Sequence, residues 1–256
     1  MQRSMKKRSK TTVAIVIVLL AVAILAVLGW RLTTPSSPTS TMMTIELQEN
    51  SSPVMVGTST VSSTNISPTT FNLAVDLLAG SPPTLGSPNA PVIIVEFGDY
   101  QCPTCGEWFH TQGPSLIQNL VDTGKAKLVW RDFDYFGPDS ISASEADYAA
   151  GQQGKFWQFH DLLYTSQQSP NSGWASRQNL QKFAQKLGLN MTQFNEDFNS
   201  GKYDALINAN HALGVEAGIT ETPTFFLVGP NGKVVTIAGD QPESVFEQAV
   251  AQLTSG

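Results

Sequence analysis

Cysteine and histidine are scarce in this 256-residue chain, two of the first and three of the second. The cysteines, Cys102 and Cys105, stand three positions apart in "GDYQCPTCGEW", and no second Cys-x-x-Cys accompanies them. A closed zinc site needs four ligands, and His110, His160 and His211 do not complete one. His110 lies about two helical turns beyond Cys102. No metal site is therefore expected. Charge is sparse as well, at 14% of residues, and no acid precedes Glu46. Six of the 15 Lys and Arg lie at or before Arg31, so nine face all 21 acids in the remainder. That balance argues against nucleic acid or an anionic lipid surface as a partner of the larger part. Internal repeats are absent.

What is present falls into three regions. Residues 1–12 are basic, with Arg3, Lys6, Lys7, Arg8 and Lys10. Residues 13–30 then run without a charge, a polar residue or a proline. A helix of that length spans roughly 27 Å, enough to cross a hydrocarbon core. Basic flanks stay inside, so the N-terminus is expected in the cytoplasm and everything after Arg31 outside. A cleaved signal peptide is the competing reading. The run exceeds the ~7–15 residues of a typical signal core, and "AVLGWRLTTP" offers no small-x-small cleavage site, so an uncleaved anchor is favoured.

Residues 31–83 are rich in Ser, Thr and Pro and read as a linker or stalk. Only "FNLAVDLLAG" (71–80) is apolar enough for a short helix lying on the domain. Sequons occur at Asn50, Asn65 and Asn190. Residues 84–256 are long enough for one domain with an ample core.

Within that domain "PVIIVEF" (91–97) is an apolar run of the kind buried on both faces of a sheet. A helix follows the cysteines, kinked by Pro114 and ended near Gly124. "AKLVWRDF" (126–133) is a second strand, parallel to the first by the βαβ rule. Residues 139–218 are helical, punctuated by glycines at 188, 201 and 218. "TPTFFLVGPNGKVVTIAG" (222–239) predicts a hairpin and "QPESVFEQAVAQL" (241–253) a closing helix. The fold class is α/β with a large helical insertion.

A disulfide across two residues closes too small a loop to be a useful staple. Redox chemistry explains the spacing better. Cys102 falls at a helix start, where unpaired N–H groups and the helix dipole favour thiolate over thiol. Such a position can lower a thiol pKa from ~8.5 into the range ~3.5–7.5. Cys102 is therefore expected to be the exposed nucleophile and Cys105 the buried resolving thiol. Two thiolates could instead hold soft Cu(I), so a copper-binding carrier is the alternative from another class.

"LGSPNAPVIIVEFGDYQCPTC", "GKFWQFHDLLY" and "GITETPTFFLVG" resemble the DsbA-like thiol–disulfide oxidoreductases of the thioredoxin superfamily, over residues from about 84 to the C-terminus. The resemblance implies a thioredoxin-like fold with a helical domain inserted between the second and third core strands. It implies a redox-active Cys102–Cys105 disulfide and no other cofactor. Glu96 stands where such proteins keep a buried acid beneath the disulfide, and burial would raise its pKa. The other reading is a solvated strand-end acid. Asp99 is expected in the exposed turn. Thr222-Pro223 matches the family's cis-proline loop, whose backbone pairs with an extended substrate. Pro103-Thr104 departs from the strongly oxidising member, which has proline and histidine there. Threonine can donate one hydrogen bond but carries no charge, so a milder oxidant is expected.

The implied activity is oxidation of cysteine pairs in exported proteins, outside the membrane, with an unidentified redox partner for reoxidation. A tethered disulfide reductase, for instance in cytochrome assembly, is the alternative. Trp108 is read as core or groove lining, His160 as a satisfied structural histidine, and the acids of "WRDFDYFG" (130–137) as solvated strand-end groups.

Overall fold

The structure, a computed structural model, describes residues 72–255. The expected membrane helix at 13–30, the basic segment before it and the linker up to residue 71 lie outside the described residues. No helix among the described residues is long and apolar enough to cross a membrane.

Five strands form one mixed sheet: β1 (Thr84–Leu85), β2 (Val92–Gly98), β3 (Ala126–Asp132), β4 (Thr224–Val228) and β5 (Val234–Ala238), in the order β1-β3-β2-β4-β5. β2 and β3 are parallel, with Val92 opposite Ala126 and Gly98 opposite Asp132. The crossover between them is helical, as parallel pairing requires. β4 runs antiparallel to β2 and β5 antiparallel to β4. The two-residue β1, not foreseen from the sequence, pairs antiparallel with the outer edge of β3.

β2 is buried along nearly its whole length because both faces are covered. Val92 and Ile94 pack with Trp108, Leu116, Phe225 and Phe246. Val95 and Phe97, alternating to the other face, pack with Leu77, Ile219 and Phe226. Glu96 shares the parity of Ile94 and so belongs to the first face.

The crossover helix is broken. α2 (Pro103–Thr111) stops at Gln112, α3 (Gly113–Leu116) restarts with Pro114 in its first turn, and Ile117–Val121 widens into a π turn. Five helices stand between β3 and β4: α4 (Pro138–Gly151), α5 (Phe156–Thr165), α6 (Arg177–Lys186), α7 (Met191–Asn199) and α8 (Asp204–Glu216). They build their own core around Phe159, Leu163, Leu180, Phe194 and Phe198. Gly188, Gly201 and Gly218 have φ of +70°, +69° and +79°, the left-handed conformation that ends helices at low cost for glycine. Asn190 caps α7, its Oδ1 accepting from the Thr192 and Gln193 N–H groups. α9 (Glu243–Thr254) closes the fold with Pro242 at its N-cap.

The segment 72–83 belongs physically to this domain, upstream of the boundary expected at 84. α1 (Leu73–Asp76) leads into Leu77, which is fully buried; burying one leucine contributes about 1.5–3 kcal/mol. The buried Arg131 guanidinium holds the chain there, donating to the carbonyls of Leu77 (3.0 Å) and Ala79.

Candidate active site: two thiols at the tip of α2

β2 ends at Gly98, and the chain turns into α2 within four residues. Asp99 builds the turn. Its Oδ1 accepts from the Gln101 N–H at 2.8 Å, and its carbonyl accepts from the Cys102 N–H at 2.9 Å. Its Oδ2 accepts from the Tyr135 and Phe136 N–H groups at 2.9 and 3.1 Å. Asp99 is fully buried, not in the exposed turn expected from the sequence, because four backbone N–H groups surround it. Pro103 then fits the first helical position, where no N–H is needed.

The helical insertion grips the same turn. The Gln167 Nε2 donates to the carbonyls of Tyr100 (2.7 Å) and Cys102 (2.9 Å). Gln101 reaches Ser140 at the start of α4 and accepts from the Asn171 N–H at 2.8 Å.

Both cysteines are free thiols, Cys102 at the N-cap of α2 and Cys105 one turn in. Hydrogen bonding from Cys105 lowers the Cys102 pKa to about 5 against the cost of burial, and Thr222 and Tyr135 assist. Burial, followed by the Cys102 sulfur, pushes Cys105 well above the usual thiol range. One helix tip thus separates two chemically identical groups into a thiolate and a thiol.

Cys102 is not exposed as the sequence reading had it. It is only 2% accessible. Its Sγ points at the Thr222 carbonyl (3.4 Å) and lies 3.5 Å from the Tyr135 hydroxyl, which receives a hydrogen bond from the Thr222 Oγ1 at 3.1 Å. The Thr222–Pro223 peptide is cis. Thr104 is exposed and makes no hydrogen bond to the sulfur; Tyr135 supplies the hydroxyl instead. Nothing in the sequence around Tyr135 signalled this, since the residue comes from the loop after β3, 33 positions away.

Glu96 is 2% accessible, and burial raises its pKa to about 8. It is not a solvated strand-end acid. Neither are the acids at the end of β3 and just beyond it. Asp132 is fully buried, accepting from the Trp130 Nε1 (2.9 Å), the Tyr148 hydroxyl (2.6 Å) and the Asn210 Nδ2 (2.9 Å). Burial also pushes Asp134 well above the carboxylate range. Trp108 is core, 4.7 Å from Phe225 and 6.1 Å from Phe246 between ring centroids. His160 is buried among Tyr100, Trp130 and Tyr164, but it is not fully satisfied: Nδ1 lies 3.3 Å from Asp161 while Nε2 has no partner. Burial lowers its pKa, so the ring is neutral.

A parallel-strand core carrying a Cys-x-x-Cys helix opposite a cis-proline loop defines a thiol–disulfide exchange protein. A family model described as thioredoxin matches residues 79–247, and the chain belongs to that family. It is 31% identical over 151 residues to a probable disulfide bond formation protein D of Bacillus anthracis, a match covering 57% of this chain and 69% of that one. The fold is shared with α-DsbA1 of Wolbachia pipientis, with TM-score 0.64 and 22% identity over 72% of this chain and 96% of that chain. It is also shared with oxidised BdbD of Bacillus subtilis, with TM-score 0.61 and 24% identity over 68% and 94%. The protein is a DsbA-like protein-disulfide oxidoreductase.

Proposed function

We propose that this oxidoreductase is tethered to the cell membrane by residues 13–30 and oxidises cysteine pairs in exported proteins, with residues 1–12 inside and residues 31–71 as a stalk. The observation that carries the redox part of the reading is the placement of Cys102 at the N-cap of α2, with Cys105 one turn in and the cis Thr222–Pro223 bond opposite. That geometry favours a thiolate at Cys102 and a thiol at Cys105.

In the oxidised enzyme, a substrate thiolate attacks the Cys102 Sγ. The Cys102–Cys105 bond breaks, and Cys105 leaves with the electron pair. Glu96, protonated near neutral pH, gives it a proton. The second substrate thiolate then attacks its own partner sulfur in the mixed disulfide and expels Cys102 as a stable thiolate. The substrate has lost two electrons and the enzyme has gained them. A separate acceptor, unidentified here, takes them back. In the reverse direction Cys102 attacks a substrate disulfide and Cys105 resolves the intermediate. The Thr222 backbone, facing Cys102 across the cis bond, is placed to pair with an extended substrate strand.

Replacing each cysteine separately tests the order. Cys105→Ser should accumulate mixed disulfides on Cys102 that reductant releases, and Cys102→Ser should accumulate none. Equal trapping by both variants would reverse or abolish the assignment. A reductase role is the second reading, favoured by the absence of a cation between the cysteines. A potential near thioredoxin's ~−270 mV would support it, and one near ~−120 mV the oxidase.

A further inference from the structure

The Cys102 sulfur is covered, yet the chemistry assigned to it needs a foreign sulfur to reach it. The covering group is specific. Tyr135 is 48% exposed, its ring lies against Phe136 at 4.4 Å between centroids, and its hydroxyl is 3.5 Å from the sulfur. Its backbone is fixed: the Tyr135 and Phe136 N–H groups both donate to the Asp99 carboxylate, the same carboxylate that shapes the turn before Cys102. The loop after β3 and the redox turn are therefore tied to each other, while the phenol at the loop's edge is about half exposed. Beside the ring lies an open cleft of about 420 Å³ lined by Thr104, Phe133, His211, Ile219 and Glu221.

The hydrogen bonds around the sulfur are directional. A Cys102 thiol can donate to the Thr222 carbonyl, 3.4 Å away. A thiolate has no proton and can only accept. The side-chain hydroxyl within reach is that of Tyr135, at 3.5 Å, and it is itself fed by the Thr222 hydroxyl at 3.1 Å. Burial and the adjacent sulfur both push the phenol's own pKa up, so it stays a donor.

We propose that Tyr135 is a positioning residue of the redox centre: its hydroxyl, receiving from Thr222, donates to the Cys102 sulfur when that sulfur is ionised, and its ring shields the sulfur until an incoming substrate pushes it into the neighbouring cleft. This rests on Cys102 being the nucleophile. It adds a residue that sets both the thiolate's stability and access to it. The ionisable groups facing the pair are Cys105 on α2, Glu96 in β2, Asp99 just after it, Tyr164 on α5, and His211 on α8 and Glu221 across the cleft. The substitutions below leave all of them in place.

The two roles separate by substitution in the reduced full-length protein, purified in detergent. Tyr135→Phe keeps the ring and removes the donor. Tyr135→Ala and Tyr135→Ser remove the ring. Thiolate absorbance is titrated against pH, and iodoacetamide alkylation of Cys102 is timed across the same range. One hydrogen bond to a charged group corresponds to about one pH unit, so Tyr135→Phe should raise the Cys102 midpoint by about that much. The equilibrium with glutathione should move about tenfold toward the enzyme disulfide, about 30 mV more negative. Its limiting alkylation rate, with Cys102 fully ionised, should rise only about threefold, the nucleophilicity that one pKa unit adds, because an intact ring still shields the sulfur. Whichever ring-less variant folds by circular dichroism should raise that limiting rate several-fold above the rate of Tyr135→Phe, which lacks the same donor. An unchanged midpoint in Tyr135→Phe overturns the donor role, and a limiting rate without the ring no higher than that of Tyr135→Phe overturns the shield. Native protein in which Cys105 alkylates before Cys102 would instead refute the underlying assignment of the nucleophile.

Discussion

Burial raises the pKa of both Glu96 and Cys102, but at Cys102 the hydrogen bond from Cys105 outweighs it, and pH should expose the difference. Glu96 is raised to about 8 by desolvation, with no cation to offset it. A carboxyl raised on folding adds stability below its unfolded value, and that stability is lost as pH climbs through the folded one. In the oxidised protein, where the thiols do not titrate, stability should therefore fall from about pH 5 to about pH 8. Glu96→Gln should flatten that fall by a few kcal/mol, on the order of three pKa units at 1.36 kcal/mol each. Chemical denaturation at the two pH values reads the difference. Parallel curves for the two proteins would mean that Glu96 is solvated. Cys102 has the reverse sign: its folded pKa, about 5, lies below that of a free thiol. The reduced form therefore gains from the thiolate above the free-thiol range and loses that gain as pH falls toward 5. That gain is what makes the disulfide an oxidant, since stabilising the thiolate stabilises the reduced enzyme.

At the scale of elements, the sheet and the helical insertion meet in one polar knot. The Asn210 Oδ1, on α8, accepts from Arg131 at 2.7 Å, and its Nδ2 donates to Asp132 and to the Tyr148 hydroxyl on α4. One amide thus satisfies a buried cation and a buried anion that are neighbours along β3. Through Arg131 the knot also holds the chain at Leu77, ahead of β1. Asn210→Ala leaves both charges short of a partner in a dry environment, which costs about 2–4 kcal/mol. A denaturant midpoint within error of the native one would show that water replaces the amide. The same knot explains why "WRDFDYFG" misleads as a sequence. Its acids and arginine read as a solvated strand end, but the helices that bury them are assembled from residues 140–210 and cannot be seen from the strand.

For the molecule as a whole, the proposed anchor makes the redox domain a tethered head. Full-length protein expressed in bacteria should stay with membranes through an alkaline carbonate wash. A chain lacking residues 1–31 should be soluble and still oxidise a reduced test peptide. Recovery of the full-length protein in the carbonate supernatant would remove the anchor from the account. The docking of Leu73–Ala79 on the sheet makes this segment part of the head, so the proposed stalk would end before it.

The order of strands and helices was legible because each element announces itself locally. "PVIIVEF" is apolar at every position, the hairpin carries Pro-Asn-Gly, and the glycines that end helices mark positions where other residues resist positive φ. Cys102 and Cys105 were legible for the same reason, since their spacing is a property of one turn. Tertiary structure alone decided what surrounds them. Asp99 is buried only because the loop after β3 brings two N–H groups to it, and Cys102 is covered only because Tyr135 and Thr222 arrive from 33 and 120 residues away. A local pattern fixes backbone geometry. Burial, pKa and access are sums over neighbours distant in the chain, and no stretch of sequence contains them.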